Sequence, residues 1–172
     1  MLDAIWIIGT PFFVCFSLVV FIGAPYVPTL KAQFEDIRAL YPLKKNDVFV
    51  DVGSGDGVVL RAVAPYAKKA VGYEINPILW AISSLLSRKM NNTDVLLRDF
   101  WSSDLPSDTT VVYTFLGTRY MKKLDKKLQQ HVNHYQSKIH FISYGFELPS
   151  RSVKRRHGPM LLYVFTPESL QT

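Results

Sequence analysis

A run of three closely spaced glycines after a short apolar segment is the feature that most constrains the fold of this chain. Residues 48–50 are all apolar, and residues 51–57 then read DVGSGDG. Glycine lacks a Cβ atom and adopts positive φ at little cost, so such a run forms a tight turn whose backbone N–H groups are open to a ligand. The pattern predicts a buried strand, a turn and the start of a helix.

An acidic residue follows this turn at the spacing of a strand–helix–strand unit. A second short run, residues 70–73, ends at Glu74, about 20 residues beyond the turn. The ends of the two parallel strands in such a unit are neighbours, so Glu74 is placed to bind both hydroxyls of a ribose. The two segments together predict a nucleoside-cofactor site, whereas Gly53 and Gly55 alone would equally fit a turn without a ligand.

The spacing of the glycines separates two classes of cofactor. The dinucleotide-binding pattern requires a glycine three positions after Gly55, but Val58 stands there and the third glycine is Gly57. NAD is therefore the weaker interpretation. Asp51 followed by G-x-G-x-G instead resembles motif I of the class I S-adenosylmethionine-dependent methyltransferases, and residues 72–74 (GYE) resemble their ribose-binding second strand.

The N-terminal part of the chain is apolar and uncharged over a long stretch. Residues 4–30 contain no charged side chain, and residues 5–24 are almost wholly apolar. About 20 helical residues at ~1.5 Å each cross a hydrocarbon layer of ~30 Å, so we expect a single transmembrane helix here. A cleaved signal peptide is the alternative, but a basic start and a small-residue cleavage site are missing. Cys15, the only cysteine, lies in this segment, which excludes an intramolecular disulfide.

The charges that flank the predicted span indicate its orientation. No Lys or Arg precedes it, whereas several follow within about 20 residues: Lys31, Arg38, Lys44 and Lys45. Because basic flanks remain inside, we expect a single-pass membrane protein with its catalytic domain on the cytoplasmic side. The predicted regions are a transmembrane anchor at 1–24, a linker and pre-methyltransferase segment at 25–45, and the methyltransferase domain at 46–172.

The remaining chain alternates short apolar runs with longer amphipathic stretches, which predicts a mostly parallel sheet covered by helices. With 172 residues, 48% of them apolar, the chain can form one such domain. We expect strands at residues 48–52, 70–73, 95–97, 110–115 and 139–144, with a closing antiparallel pair at 152–156 and 160–165. We expect helices at residues 58–66, 77–90 and 119–135. The predicted class is α/β, a Rossmann-like seven-stranded class I methyltransferase sheet preceded by one N-terminal transmembrane helix.

The ligand in such a sheet lies at the carboxyl ends of the strands, where the strand order reverses. Asp99 follows the third predicted strand and can accept a hydrogen bond from an adenine amino group, while the ring of Phe100 can cover the base. A solvated loop acid and a packed core ring are the alternatives for this pair. The predicted cofactor-binding residues are Asp51, Gly53, Ser54, Gly55, Asp56, Gly57, Glu74, Asn76, Asp99 and Phe100.

Three segments in one order narrow the resemblance to a family: residues 23–29 (GAPYVPT), 51–57 and 72–77 (GYEINP). The combination resembles the membrane-anchored protein-lysine methyltransferases whose mitochondrial members modify the ADP/ATP carrier and the c-subunit of ATP synthase. The resemblance implies S-adenosylmethionine as the cofactor, a lysine of a membrane protein as the acceptor and the lipid bilayer as a partner. It is strongest at residues 25–77.

Methyl transfer to lysine requires a neutral amine. At a pKa of ~10.4, deprotonation at pH 7 costs about 4.6 kcal/mol. Burial in an aromatic channel can offset this cost by disfavouring the charged form, and an acceptor such as a hydroxyl or carbonyl can aim the lone pair. Tyr113, Thr114 and Tyr26 are candidate lining residues, although strand residues such as Tyr113 are more often core residues. No catalytic residue is assigned.

Nucleic acid is not expected as a partner, since the Asn/Asp-Pro-Pro-aromatic motif of nucleobase methyltransferases is missing where residues 114–117 read TFLG. The net charge of +6 arises partly from basic residues on the predicted helix at 119–135, for which a solvated face is the simplest interpretation. His131 and His134 have no third partner in view, so no metal is expected. An anchored methyltransferase for a lipid or quinone-like molecule and a non-catalytic membrane scaffold remain alternative functions.

Overall fold

The computed structural model describes residues 31–168, which form a seven-stranded sheet flanked by helices. The strands are β1 Val48–Val52, β2 Lys69–Glu74, β3 Thr93–Leu97, β4 Val111–Thr114, β5 Ile139–Tyr144, β6 Arg155–His157 and β7 Met160–Phe165. The helices are α1 Lys31–Leu40, α2 Val58–Val63, α3 Pro77–Ser87 and α4 Thr118–Tyr135, and short 3₁₀ turns occur at Ala64–Tyr66 and Phe100–Ser102.

The strand order is β3-β2-β1-β4-β5-β7-β6. Strands β1 to β5 pair in parallel, while β7 is antiparallel to both β5 and β6. The order reverses next to β1, which pairs with β2 on one side and β4 on the other, so that Asp51 lies opposite both Gly72 and Tyr113. The predicted seven-stranded, mostly parallel sheet is confirmed, and its reversal point places the ends of β1, β2 and β4 together.

Both faces of the central strands are buried, which explains their nearly continuous apolar sequence. Helix α4 covers one face with Met121, Leu124, Leu128 and Val132, all fully buried. Tyr135, the last residue of α4, is 43% exposed, because the helix ends there and Gln136 turns away with φ 49°. Helices α1 and α2 cover the opposite face.

Helix α1 lies in the segment predicted as a linker. Its Ile37 and Leu40 are almost completely buried and belong to the same core cluster as Phe49 of β1 and Leu60 of α2. This segment therefore packs on the sheet. The division into three regions stays a prediction, since the segment at residues 5–24, together with Cys15 and Tyr26, lies outside the described residues.

The predicted single-pass membrane location, with a transmembrane helix and a cytoplasmic catalytic domain, is corrected by the structure. Between residues 31 and 168 no helix combines the length and the apolar character that crossing a bilayer requires. The longest helix of this range, α4, has 18 residues, and its exposed side carries charged residues such as Lys122, Lys123 and Lys126. The predicted span itself, residues 5–24, lies outside the described residues.

Two helices are shorter than predicted. The helix expected at residues 58–66 becomes a 3₁₀ turn after Val63, because Pro65 has no N–H group to continue the α-helical hydrogen bonds. The helix expected at 77–90 ends at Ser87. Its inward face is unusual: Ser83 and Ser87 are buried, whereas Leu85 and Leu86 are more than half exposed.

Candidate active site

The glycine turn joins β1 to α2 in the conformation that the sequence predicts. Gly53, Gly55 and Gly57 have φ values of 78°, 56° and 76°, which residues with a Cβ atom rarely adopt. The N–H groups of Gly53 and Ser54 both donate to the carbonyl of Tyr73 at 3.0 Å. These hydrogen bonds hold the turn against the end of β2.

Glu74 lies at the end of β2 with its carboxylate directed at this turn. Oε2 accepts a hydrogen bond from Gly55 N at 2.7 Å, and Oε1 accepts one from Asn76 N at 2.7 Å. The side chain is only 6% exposed. Each carboxylate oxygen has a second lone pair, so Glu74 can accept hydrogen bonds from ribose hydroxyls without releasing the turn.

Asn76 is brought next to Glu74, but its side chain also has a local task. Its Oδ1 accepts hydrogen bonds from Ile78 N at 2.9 Å and Leu79 N at 3.3 Å, which caps the N-terminus of α3. The residue is buried, with 4% of its surface exposed. Asn76 thus fixes where α3 begins, and through its backbone N–H it also fixes the carboxylate of Glu74.

Three carboxyl groups surround the turn. Asp51 is buried at the end of β1, and burial, together with the nearby Glu74 and Asp56, raises the pKa of Asp51 to about 8. Asp56 accepts a hydrogen bond from Val58 N at 3.2 Å at the start of α2. The buried hydroxyl of Ser54 has no partner among the described residues. Such a concentration of acidic groups is complementary to a cationic ligand.

Asp99 and Phe100 follow the end of β3, beside β2. Arg98 N donates to the carbonyl of Glu74 at 3.0 Å, which sets Asp99 next to the end of β2. Asp99 Oδ1 accepts a hydrogen bond from Trp101 N at 3.0 Å. Phe100 is 5% exposed and its ring packs edge-on against Tyr73 at 5.5 Å, as the core alternative expects.

Glycines at two positions test whether an adenosine-bearing cofactor fits here. A Cβ atom built on Gly53 would meet no atom of residues 31–168 within 4 Å, so this part of the chain leaves the turn open on that side. A Cβ atom on Gly72 would lie 2.4 Å from Leu60 Cδ1 and 2.6 Å from Ser54 Oγ. Gly72 is therefore required for packing, whereas the bare backbone at Gly53 leaves room for a ligand to approach closely.

The aromatic residues at the ends of β4 and β5 were mostly missed from sequence. Phe115 contacts Tyr144 at a ring separation of 4.8 Å and Phe146 at 6.0 Å. Of the candidate lining residues, Thr114 donates its hydroxyl to the carbonyl of Val52 at 3.1 Å, while Tyr113 is buried and its hydroxyl has no partner in the described part of the chain. Aromatic residues that directly follow strands were the available signal.

Comparison with known proteins identifies relatives of this chain. The family model described as the ANTKMT methyltransferase domain matches residues 51–155, which include every predicted cofactor-binding residue. The lysine N-methyltransferase of the ATP synthase c-subunit from Xenopus laevis is 32% identical over 108 residues, covering 61% of this chain and 47% of that protein. The adenine nucleotide translocase lysine N-methyltransferase of Mus musculus is 32% identical over 109 residues, again 61% of this chain and 47% of that protein. The chain thus spans about half the length of these relatives.

A solved structure is also similar. It is the RNA methyltransferase from Salinibacter ruber in complex with S-adenosyl-L-homocysteine, with a TM-score of 0.71 and 26% identity, covering 83% of this chain and 95% of that chain. Together with the family model, it confirms the predicted cofactor, S-adenosylmethionine, whose demethylated form occupies that structure.

Proposed function

The chain belongs to the family of the ANTKMT methyltransferase domain, and we propose that it transfers a methyl group from S-adenosylmethionine to the Nζ atom of a lysine side chain in a protein. The relatives support a lysine acceptor, because both are named as lysine N-methyltransferases, one for the c-subunit of ATP synthase and one for adenine nucleotide translocase. As the finer proposal, the acceptor is a membrane protein. The bilayer as a direct partner stays a prediction from the resemblance.

One observation carries the cofactor half of this proposal. The carboxylate of Glu74 lies under the glycine turn, held by Gly55 N and Asn76 N, where it can accept the hydroxyls of a ribose. We propose the full set predicted from sequence as the cofactor site: Asp51, Gly53, Ser54, Gly55, Asp56, Gly57, Glu74, Asn76, Asp99 and Phe100. Phe100 contributes through its backbone and by supporting Tyr73, since its ring is packed in the core.

The chemistry of the bound cofactor is a methyl group activated by a sulfonium. The residues of the chain position it and compensate its charge. Glu74 and the backbone N–H groups of the turn orient the nucleoside, and the buried carboxyl groups of Asp51 and Glu74 lie where a positive charge is stabilised at low local dielectric. The acceptor must supply a neutral nucleophile from the opposite side of the methyl group.

The direct test is to follow a labelled methyl group. The purified full chain is incubated with methyl-radiolabelled S-adenosylmethionine and separate membrane-protein, soluble-protein, lipid and RNA fractions of its host. We expect label in a membrane protein and mass spectrometry to place it on lysine. Label confined to the lipid extract or to RNA contradicts the proposal, and absence of cofactor binding by calorimetry favours a non-catalytic scaffold.

A matched pair of variants shows that the label depends on this site. Glu74→Gln is expected to reduce the transfer by about 10- to 100-fold at cofactor concentrations below the wild-type Kd, because it removes a carboxylate that the turn and the ribose both require. Glu35→Gln is the same chemical change on α1, at a side chain that is 69% exposed and paired with Arg38, and is expected to transfer label normally. Equal transfer by both variants would exclude this pocket as the cofactor site.

A further inference from the structure

We propose that Tyr113, Tyr144 and Phe115 form the pocket for the acceptor amine, and that the Tyr113 hydroxyl accepts a hydrogen bond from the neutral amine and so aims its lone pair. The inference rests on the proposed lysine methylation and deepens it, because it assigns the part of the site that receives an alkylamine. Residues that touch the acceptor are not assigned by the cofactor motifs.

The sheet register brings these side chains to the cofactor turn. Tyr113 of β4 lies opposite Asp51 of β1, and it lies opposite Ile142 of β5 on its other side. Side chains two residues apart on a strand share a face, so Tyr144 lies on the same face as Ile142 and Tyr113, one step nearer the carboxyl edge. Tyr113, Ile142 and Tyr144 accordingly belong to one cluster, on the face covered by α1 and α2.

The rim of the pocket is aromatic and half-buried. Phe115, Tyr144 and Phe146 follow or end the strands β4 and β5, with ring separations of 4.8 and 6.0 Å about Phe115. The described residues leave space next to this rim, since a Cβ atom on Gly117 or Gly145 would meet none of their atoms within 4 Å. An aromatic opening at this edge attracts an ammonium group through cation–π interaction and then surrounds its apolar stem.

The floor of the pocket is a hydroxyl that lacks a partner. Three tyrosines of the described sheet are buried: Tyr73, Tyr113 and Tyr163. Tyr73 donates its hydroxyl to the carbonyl of Asp104 at 2.6 Å, and Tyr163 accepts a hydrogen bond from Leu148 N at 3.1 Å. Of these three hydroxyls, only that of Tyr113 has no partner between residues 31 and 168, although burying an unpaired hydroxyl costs free energy. An amine donor in the pocket would satisfy it.

The protonation state of Tyr113 defines its part in the reaction. Burial raises the pKa of Tyr113 above its ordinary value, and the neighbouring Asp51 carboxyl and Tyr144 hydroxyl raise it further. The phenol therefore stays neutral and is no base. It acts as a hydrogen-bond acceptor for an amine N–H and so orients the lone pair, while burial in the apolar pocket disfavours the charged ammonium form.

The transfer step balances with these groups. The lysine ammonium loses one proton to water at the rim and enters as the neutral amine. Its nitrogen lone pair forms the N–C bond while the S–C bond breaks, and the electron pair of that bond stays on sulfur, which becomes a thioether. The positive charge passes to the methylated ammonium, which leaves past the aromatic rim.

The test compares Tyr113→Phe with a matched control, Tyr163→Phe. The control removes a second buried tyrosine hydroxyl of the sheet, which accepts a hydrogen bond from Leu148 N. We measure the Kd for S-adenosylhomocysteine by calorimetry, and kcat and KM against pH on the labelled acceptor. For Tyr113→Phe we expect an unchanged Kd and a kcat lower by about 10- to 100-fold, because the lone pair of the amine is no longer aimed at the methyl group. We also expect a pH–rate profile displaced to lower pH, because an acceptor that stabilises the ammonium form more than the amine is gone. Tyr163→Phe should keep the wild-type kcat and profile.

The outcomes separate this inference from the proposed function. If wild type methylates lysine and Tyr113→Phe has the same kcat and pH profile, the pocket assignment is overturned and the proposed function stands. If wild type methylates no lysine, n-butylamine is titrated into the S-adenosylhomocysteine complex. Binding that is lost in Tyr113→Phe then keeps the amine pocket, and equal binding overturns it.

A second variant covers the case in which Tyr113→Phe does not fold. Tyr144→Leu removes a half-buried ring at the rim and leaves the buried side chains of Tyr113 and Ile142 unchanged. We expect it to raise KM about three- to fivefold while the Kd for S-adenosylhomocysteine stays the same. An unchanged KM overturns the assignment of the rim.

Discussion

Single acidic residues at this site are fixed by backbone N–H groups of their neighbours. Glu74 is held by Gly55 and Asn76, and Asp99 by Trp101. A carboxylate that is already oriented loses little conformational freedom when a ligand arrives, so more of the interaction energy appears as affinity. Glu74 is the sharper case, because the same carboxylate also stabilises the turn.

Replacement of Glu74 by Gln should damage both binding and stability. One carboxylate oxygen becomes an NH₂ group that faces a backbone N–H donor, so a buried hydrogen bond is lost. We expect the free energy of unfolding to fall by about 1–3 kcal/mol and the Kd for S-adenosylhomocysteine to rise about 10- to 100-fold. Chemical denaturation and calorimetry measure the two effects. Glu35→Gln serves as the control, and an unchanged Kd in Glu74→Gln would contradict the ribose-binding assignment.

At the scale of elements, the turn and α3 depend on one another. Gly57, at the start of α2, approaches α3 so closely that a Cβ atom there would lie 2.0 Å from Ser83 Oγ. This contact explains why α3 has a small residue, Ser83, on its inward face, where an amphipathic pattern alone would place an apolar side chain. The cofactor turn thus determines the composition of a helix that begins about 20 residues later in the chain.

The contact between Gly57 and Ser83 predicts a measurable coupling. Gly57→Ala places a Cβ atom both in the left-handed region and against Ser83, so we expect a loss of about 2 kcal/mol or more in the free energy of unfolding. Adding Ser83→Gly should recover the steric part and leave the backbone strain. Additive effects of the two substitutions in a double-mutant cycle would refute the contact.

Gly117→Ala is the matched control for this experiment. Gly117 has φ −65° and open space at its Cβ position, so alanine is tolerated there. Because Gly117 is the N-cap of α4, where alanine is less favourable than glycine, the free energy of unfolding should fall by no more than about 1 kcal/mol.

For the whole molecule, the fold brings three carboxyl groups together before any ligand binds. Asp51 ends β1, Glu74 ends β2 and Asp56 lies in the turn, and the sheet that joins them buries Asp51 almost completely. Without a cation beside them, the closeness of these carboxyl groups makes their ionisation unfavourable. A bound cation compensates the negative charge and makes ionisation favourable. Stability and cofactor affinity should therefore depend on pH in opposite senses.

The pKa of Asp51 sets the expected pH dependence of stability. Its pKa in the folded protein is about 8, against 3.8 for the unfolded chain, so the folded state binds the extra proton between these values. Asp51 makes its full contribution to stability at pH values below its pKa in the unfolded state. This contribution is lost as pH rises through its pKa in the folded state. We expect the free energy of unfolding to fall by about 1 kcal/mol per pH unit over the middle of this range.

Denaturation curves at several pH values measure this slope, with Asp51→Asn as the control. The asparagine side chain cannot ionise. The free energy of unfolding of the variant should therefore change less steeply with pH than that of wild type, and the difference is the contribution of Asp51. Affinity for the cationic cofactor should rise over the same pH range in wild type only. Identical slopes in the two proteins would mean that another group titrates.

Much of the fold, and the cofactor half of the site, can be predicted from the local pattern of apolar residues and glycines in the sequence. The strand β1, the turn and the end of β2 were predicted because apolar runs and glycines act through neighbours in sequence, and the distance from Gly55 to Glu74 matches the length of a strand–helix–strand unit. Helix α1 was missed because its stability comes from Ile37 and Leu40 packed on the sheet, a contact that no short segment encodes.

The sequence alone therefore determined where the strands lie along the chain, the glycine turn and the carboxylate beneath it. These features depend on backbone conformation and short-range spacing, which residue types in sequence set. Only the tertiary structure decided that the Phe100 ring packs in the core, that α3 turns serines inward, and that Tyr113 is buried without a partner among the described residues. Each of these depends on which atoms of distant segments lie within a few ångströms, and that is set by the packing of the complete sheet and its helices.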